Sequence, residues 1–213
     1  MYCRPPRRRL RNFGQDGRER PGPTGKQGLP GRSFNRQTEA GGRTLKLSTL
    51  KKIFSALEKA GVRYLVAGGV AVVVHGHPRM TMDLDLVVQL KNHNINTAFK
   101  ALGGLGYKPS VPISPVDFAD AVKRESWVKE KGMRVLNLFS DLYPETQLDI
   151  FVTEPFDFDR EYEKALHAEL EPGLIVRIIS IPTLISMKKQ AGRNLDHEDV
   201  RQLEQILRKN GNG

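Results

Sequence analysis

The stretch Tyr64–Val88, YLVAGGVAVVVHGHPRMTMDLDLVV, constrains this chain more than any other. Tyr64–Ala67 is a short apolar run of β-formers, and Gly68-Gly69 breaks it, so strand and then turn are expected. The Val70–Val74 run behind the turn is too apolar for a loop. Periodicity does not decide its state, but the glycine turn in front favours a buried helix. Arg79-Met80-Thr81-Met82 then leads into Asp83-Leu84-Asp85-Leu86-Val87-Val88, which alternates as a strand does. Asp83 and Asp85 therefore share one face, with Leu84 and Leu86 on the other.

Two carboxylates about 7 Å apart along a strand repel each other unless a cation sits between them. A divalent metal is the usual answer. Glycine lets a backbone approach a ligand closely, and a helix start offers free N–H groups to phosphate. A phosphate cradle one strand away from a carboxylate pair is what a nucleoside triphosphate with Mg²⁺ requires. Each half has a bland reading, as an ordinary turn or as ordinary surface acids. Joined at this spacing between two apolar strands, they specify a site.

These residues resemble the nucleotidyltransferases related to DNA polymerase β, especially the small AbiEii/AbiGii-toxin-type and minimal nucleotidyltransferases. That pattern is a Gly-Gly or Gly-Ser helix start, an Arg-x-Thr approach and Asp-x-Asp on a strand. Gly68, Gly69, Arg79, Thr81, Asp83 and Asp85 stand at those places, within a likeness running from about residue 49 to 207. The resemblance implies an α/β (α+β) nucleotidyltransferase fold: a small mixed β-sheet flanked by helices, with further helices at the C-terminus. It also implies a third acid on a strand beside Asp-x-Asp. Asp149 in QLDIFV matches, since Leu148, Ile150 and Val152 share the opposite face and an unpaired charge on an apolar strand is costly. Further on, Lys188 to Asp199 resembles the Lys-x-x-Ala-x-Arg-x-x-Asp-x-x-Asp segment that closes such domains. Lys188 is the candidate cation near the triphosphate. Arg193 either does the same or ties the last helix to the carboxylates. Asp196 and Asp199, near the start of that helix, also suit plain capping.

The remaining elements are read from pattern. Leu47–Ala60 is expected as a helix capped by Ser48 and ended by Gly61, and Asn92–Leu105 as another ended by Gly103-Gly104. Residues 106–115 read as a Pro-containing connection, 116–122 as a short helix and 125–131 as a charged turn or edge strand. Trp127 is expected as a core anchor. Residues 134–139 and 147–152 read as neighbouring strands, 156–170 as a helix, 174–180 as a strand, and 183–191 as a helix opened by Pro182.

Composition matters chiefly for the first 45 residues. The net charge is +10, yet residues 1–45 hold 11 Lys/Arg against 3 acids, leaving the body near +2. This Arg/Gly/Pro-rich tail has too few apolar side chains to bury and is expected to be disordered. A solvated tail or an upstream start is the favoured account of it, and an RNA-binding arm the functional one. Residues 46–213 are then the nucleotidyltransferase domain. A single cysteine excludes an intramolecular disulfide and suits the cytoplasm. No apolar run approaches the ~20 residues of a membrane span.

The implied reaction uses two Mg²⁺ ions, or Mn²⁺, bound by Asp83, Asp85 and Asp149. ATP or another NTP is the substrate, and a nucleoside monophosphate is transferred to a hydroxyl with release of pyrophosphate. Acceptors in range are tRNA or other RNA, a protein, or a small hydroxylated molecule. The AbiEii likeness implies a toxin-like enzyme held by an antitoxin-like partner. The alternative is a non-catalytic nucleotide-binding or interaction protein on the same fold.

Overall fold

A computed structural model describes residues 45–211. The expected tail lies outside them, apart from Leu45, which is buried. The chain begins with α1 (Leu47–Lys59), whose Leu50, Ile53, Phe54 and Leu57 are all buried at helical spacing. The helix opens at Lys46, which is extended and makes no side-chain cap, so Ser48 lies inside the first turn and is not the N-cap. Gly61 follows at φ 68°, a left-handed turn that returns the chain into β1 (Tyr64–Val66). Phe54 stacks on Tyr64 with ring centroids 6.0 Å apart, fixing α1 against the sheet.

Next come α2 (Gly68–Val74), β2 (Asp83–Val88) and α3 (Asn92–Gly103), as the pattern predicts. The His75 ring at the end of α2 lies 2.7 Å from the carbonyl of Ile179, and burial lowers its pKa. Residues 107–109 form an edge strand, β3 (Tyr107–Pro109), where only a connection was expected. An edge tolerates Pro109, which has no N–H to give.

Two helices follow, α4 (Pro115–Ala119) and α5 (Ala121–Lys131). The second overturns the charged turn or edge strand expected at 125–131. Ser114 and Asp117 form a capping box, and the Asp120 carboxylate accepts from the N–H groups of Val122 and Lys123. Glu125 and Lys129, 2.6 Å apart at i and i+4, are the solvated face of a helix. Trp127 is partly buried against the core, its ring 6.5 Å from that of Phe118, as an anchor should be.

Strands β4 (Val135–Ser140) and β5 (Gln147–Phe151) pair antiparallel. The helix expected over 156–170 is shorter: α6 (Phe158–Lys164) starts on an Asp157 cap and gives way to β6 (Leu166–Glu171). From Leu166 the side chains alternate, with His167 and Glu169 outward and Ala168 inward, and Gly173 at φ 82° turns β6 into β7 (Leu174–Ile178). A period of two had been hidden by the helical residues before it. The chain ends in α7 (Ile181–Ala191) and α8 (Asn194–Gly211).

The strands form one mixed sheet ordered β3-β4-β5-β2-β1-β7-β6. Parallel pairs β5/β2 and β1/β7 lie inside, and antiparallel pairs complete it. On the central strands Leu84, Leu86, Leu136, Leu138, Leu148 and Ile150 are essentially inaccessible and belong to one core with α1 and α3. Alternation therefore sends Asp83, Asp85, Asn137 and Asp149 to the opposite face. This is the mixed sheet with flanking and C-terminal helices expected of a nucleotidyltransferase fold. Among the described residues, no helix is long and apolar enough to cross a membrane.

Candidate active site

The centre of the site is set by strand register. β2 and β5 run parallel with Asp85 directly beside Asp149 and Asp83 beside Gln147. Adjacent strands lie about 4.8 Å apart, so Asp85 and Asp149 are forced together on the open face. On the far side of β5, Asn137 pairs with Asp149, and its amide donates to Oδ1 at 2.8 Å.

The glycine turn closes over this face. Gly68 has φ 60°, and a Cβ built on it would fall 1.7 Å from Oδ2 of Asp85. Any side chain there would have to displace the Asp85 carboxylate and hold a left-handed backbone. A Cβ on Gly69 would fall 2.2 Å from Oγ1 of Thr81 and 2.9 Å from the Arg79 guanidinium. The Gly69 N–H faces the Asp85 carboxylate and favours its ionised form. Thr81 also directs its hydroxyl toward the Asp83 carbonyl at 3.4 Å, tying the approach segment to the first residue of β2.

Electrostatically the carboxylates are under-compensated. Burial pushes the Asp85 carboxyl up to about 6, and the charges of Asp149 and Asp83 push the same way, against Lys188 and the Gly69 N–H. Burial also raises Asp149. The hydrogen bond from Asn137 and the field of Arg193 oppose that rise, while Asp83 adds to it.

Behind the carboxylates lies a second charge cluster with the opposite character. Asp199 is fully buried, with Arg79 Nε 2.9 Å from Oδ1 and Lys188 Nζ 2.8 Å from Oδ2. Lys188, only 6% exposed, also meets Oδ1 of Asp196 at 2.9 Å, and Arg193 Nε reaches Oδ2 of Asp196 at 2.9 Å. Burial works against the charge on Asp196, but hydrogen bonds from Lys188 and Arg193 hold its carboxyl below the usual range. Asp196 and Asp199 are therefore ion-pair partners, and Asp196 also caps α8, its Oδ2 accepting from the Arg193 N–H at 3.2 Å. Of the expected cations, Lys188 is enclosed yet acts on Asp85 through space, whereas the Arg193 side chain is 77% exposed.

The donor chemistry fits a hard divalent cation. Three carboxylates face one side, two of them in register, and the nearest matched positive charges are already shared with Asp196 and Asp199. Among the described residues, no three His, Cys, Asp or Glu side chains are yet gathered closely enough to hold a metal.

Similarity to known proteins lies in shape rather than sequence. No family model and no curated protein matches the chain. The solution structure of the antibiotic-resistance factor ANT(2'')-Ia matches with a TM-score of 0.51 and 15% identity, over 76% of this chain and 83% of that one. The two chains share a fold. The lincomycin-bound crystal structure of the lincosamide antibiotic adenylyltransferase LnuA gives a TM-score of 0.49 and 18% identity, over 76% and 99% of the two chains. An antigenic nucleotidyltransferase-like protein from Paracoccidioides brasiliensis gives 0.45 and 17%, over 75% and 74%.

Of the residues singled out in the sequence, Asp149 lies in register beside Asp85, Gly68 packs on Asp85, Thr81 and Arg79 lie against Gly69, and Asp83 opens β2. Asn137 was missed: it interrupts the apolar alternation of RVLNLF as Asp149 does that of QLDIFV, but without a charge.

Proposed function

We propose that residues 46–213 form a metal-dependent nucleotidyltransferase that moves a nucleoside monophosphate from an NTP to a hydroxyl acceptor and releases pyrophosphate. The observation that carries this is the seat of Asp85: in register with Asp149 on a parallel strand and backed by a glycine whose Cβ would overlap its carboxylate. A purely structural carboxylate gains nothing from such a neighbour.

Asp83, Asp85 and Asp149 would hold the divalent cations. When bound, these would neutralise phosphate charge and lower the pKa of the acceptor hydroxyl. The chain's own contribution is position and field. The Gly68-Gly69 backbone leaves room for the triphosphate beside Asp85, and Thr81 and Arg79 brace that turn. The exposed guanidinium of Arg193 is the cation best placed to meet phosphate oxygens, while Lys188 adds its field from beneath. Asp149 accepts the proton of the attacking hydroxyl, a task for which a carboxyl raised by burial suits it. Pre-set charge and orientation supply the acceleration.

The fold hosts several outcomes, so the acceptor must be found by experiment. The full chain is incubated with Mg²⁺ and each of four α-labelled NTPs, together with total RNA, cell lysate or a panel of hydroxylated small molecules. Label is expected on one acceptor class and is lost in Asp85→Ala. Transfer to RNA or protein would bring a toxin-like role, with an antitoxin-like partner, into view. Magnesium-dependent NTP binding that is absent from the wild type would overturn the reading.

A further inference from the structure

Asn137 sits at the middle of β4 between Leu136 and Leu138, both buried on the core face. Alternation turns its side chain to the carboxylate face, directly opposite Asp149. Its Nδ2 donates to Oδ1 of Asp149 at 2.8 Å, while its backbone carbonyl accepts from the N–H and the hydroxyl of Ser110 at 2.9 and 3.1 Å. Ser110 thus fixes the backbone of Asn137, and the side-chain amide is left to Asp149. Among the described residues, no other side chain is hydrogen-bonded or ion-paired to Asp149.

The choice of an amide has a chemical consequence. The terminal torsion of an aspartate is broad and roughly two-fold, so an unheld carboxylate does not distinguish its oxygens. A lysine or arginine in place of Asn137 would orient Asp149 but also neutralise it, as Lys188 does for Asp196 and Asp199. An amide orients it and leaves the full negative charge.

We propose that Asn137 is the positioning residue of the third carboxylate, fixing Oδ1 of Asp149 so that Oδ2 is the oxygen offered to a cation and to the acceptor hydroxyl. The proposal rests on the nucleotidyl-transfer reading above. Hydrogen-bond partners of metal-binding groups typically matter by about 10–100-fold in affinity or rate.

The test uses the full chain with Mn²⁺ alone as the probe, free Mn²⁺ being followed by electron paramagnetic resonance. Wild type, Asn137→Leu, Asn137→Ser and Asp149→Asn are compared, with melting temperatures alongside. The expected result is Mn²⁺ bound about 10-fold more weakly by Asn137→Leu, at a melting temperature within a few degrees of wild type. Once an acceptor is known, kcat should fall with little change in the KM for NTP. Asn137→Ser, which keeps a small donor, should recover part of the loss, and it decides the matter if the leucine variant does not fold. Wild-type Mn²⁺ affinity in Asn137→Leu, with weakened binding in Asp149→Asn, would overturn the positioning role and leave the enzyme reading standing. Failure of the wild type to bind Mn²⁺ would overturn both.

Discussion

Two clusters of aspartates stand close together in this molecule and are treated in opposite ways. Asp196 and Asp199 are met by Lys188, Arg79 and Arg193 at 2.8–2.9 Å, with Asp199 fully buried and Lys188 nearly so. Asp83, Asp85 and Asp149 have, among the described residues, no ion pair of their own: a neutral amide meets Asp149, and Lys188 and Arg193 act on Asp85 and Asp149 only through space. Burial of charge is costly unless it is matched, so the first cluster is a finished structural joint between α7, α8 and the approach to β2. The second is unfinished. Its excess of like charge is what marks it as the candidate functional site.

The difference is broken most visibly by removing an acid from the unfinished cluster. Asp85→Ala and Asp149→Ala should each lower nucleotidyl transfer on the order of a thousandfold, the scale on which single electrostatic groups act in active sites. Their melting temperatures should equal or exceed that of the wild type, because a repulsive charge has been removed. A single-turnover assay with a labelled NTP checks the first statement and calorimetry the second. Either variant turning over at the wild-type rate would remove that acid from the mechanism.

The finished cluster should respond in the opposite sense. Lys188→Met strands Asp196 and Asp199 next to each other with one cation fewer, and breaking a buried ion pair from one side costs about 3–5 kcal/mol. Urea unfolding should show that loss directly. A partial restoring effect is expected from Lys188→Met combined with Asp199→Leu, which removes one buried charge of each sign but leaves Arg79 without its partner. A Lys188→Met chain as stable as wild type would mean that the cluster is solvated rather than buried.

Between the clusters lies the glycine turn, and here backbone strain can be separated from contact. Gly61 and Gly68 have nearly the same positive φ, 68° and 60°, but a Cβ on Gly61 meets nothing within 4 Å. Alanine at either position incurs the left-handed cost of about 1–2 kcal/mol. Gly68→Ala must in addition displace the Asp85 carboxylate, since its Cβ would lie 2.3 Å from Cγ. Gly68→Ala should therefore be less stable than Gly61→Ala and lose most of its activity, whereas Gly61→Ala should remain active. Equal activity in the two variants would show that the turn can yield.

How much of this was legible beforehand depended on whether a signal was local. Asp83, Asp85 and Asp149 could be placed on one face because strand alternation alone decides which side chains face away from the core, and Gly68-Gly69 because two glycines break an apolar run. The direct Asp85–Asp149 pairing could not, because register between β2 and β5 depends on packing across more than 60 residues of chain. Lys188 was read as a cation for the triphosphate; its partners Asp196 and Asp199 lie within twelve residues, but only the crossing of α7 and α8 brings them into contact. The errors at 125–131 and 156–170 have a common cause. Charged residues obscure period: the Asp120 cap decided α5, and the alternation from Leu166 decided where α6 gives way to β6. Asn137 was passed over because a neutral amide in a strand announces no charge to be explained.

The smallest effect expected is also the one that tests the electrostatic comparison most directly. The Asp85 carboxyl, raised from 3.8 to about 6, holds its proton more tightly in the folded chain than in the unfolded one. Between roughly pH 4 and 6 the folded state binds more protons, so this group makes stability fall as pH rises, and its penalty is fully present above about 6. Asp85→Asn, which cannot ionise, should match wild type near pH 4 and exceed it by on the order of 1–3 kcal/mol at pH 7. Urea unfolding at half-unit pH steps reads this difference. Millimolar Mg²⁺ should then stabilise the wild type at pH 7 through preferential binding to the folded state, and Asp85→Asn much less. A flat difference across the pH range would mean that the Asp85 charge is already matched within the protein, and the contrast between the two clusters would collapse.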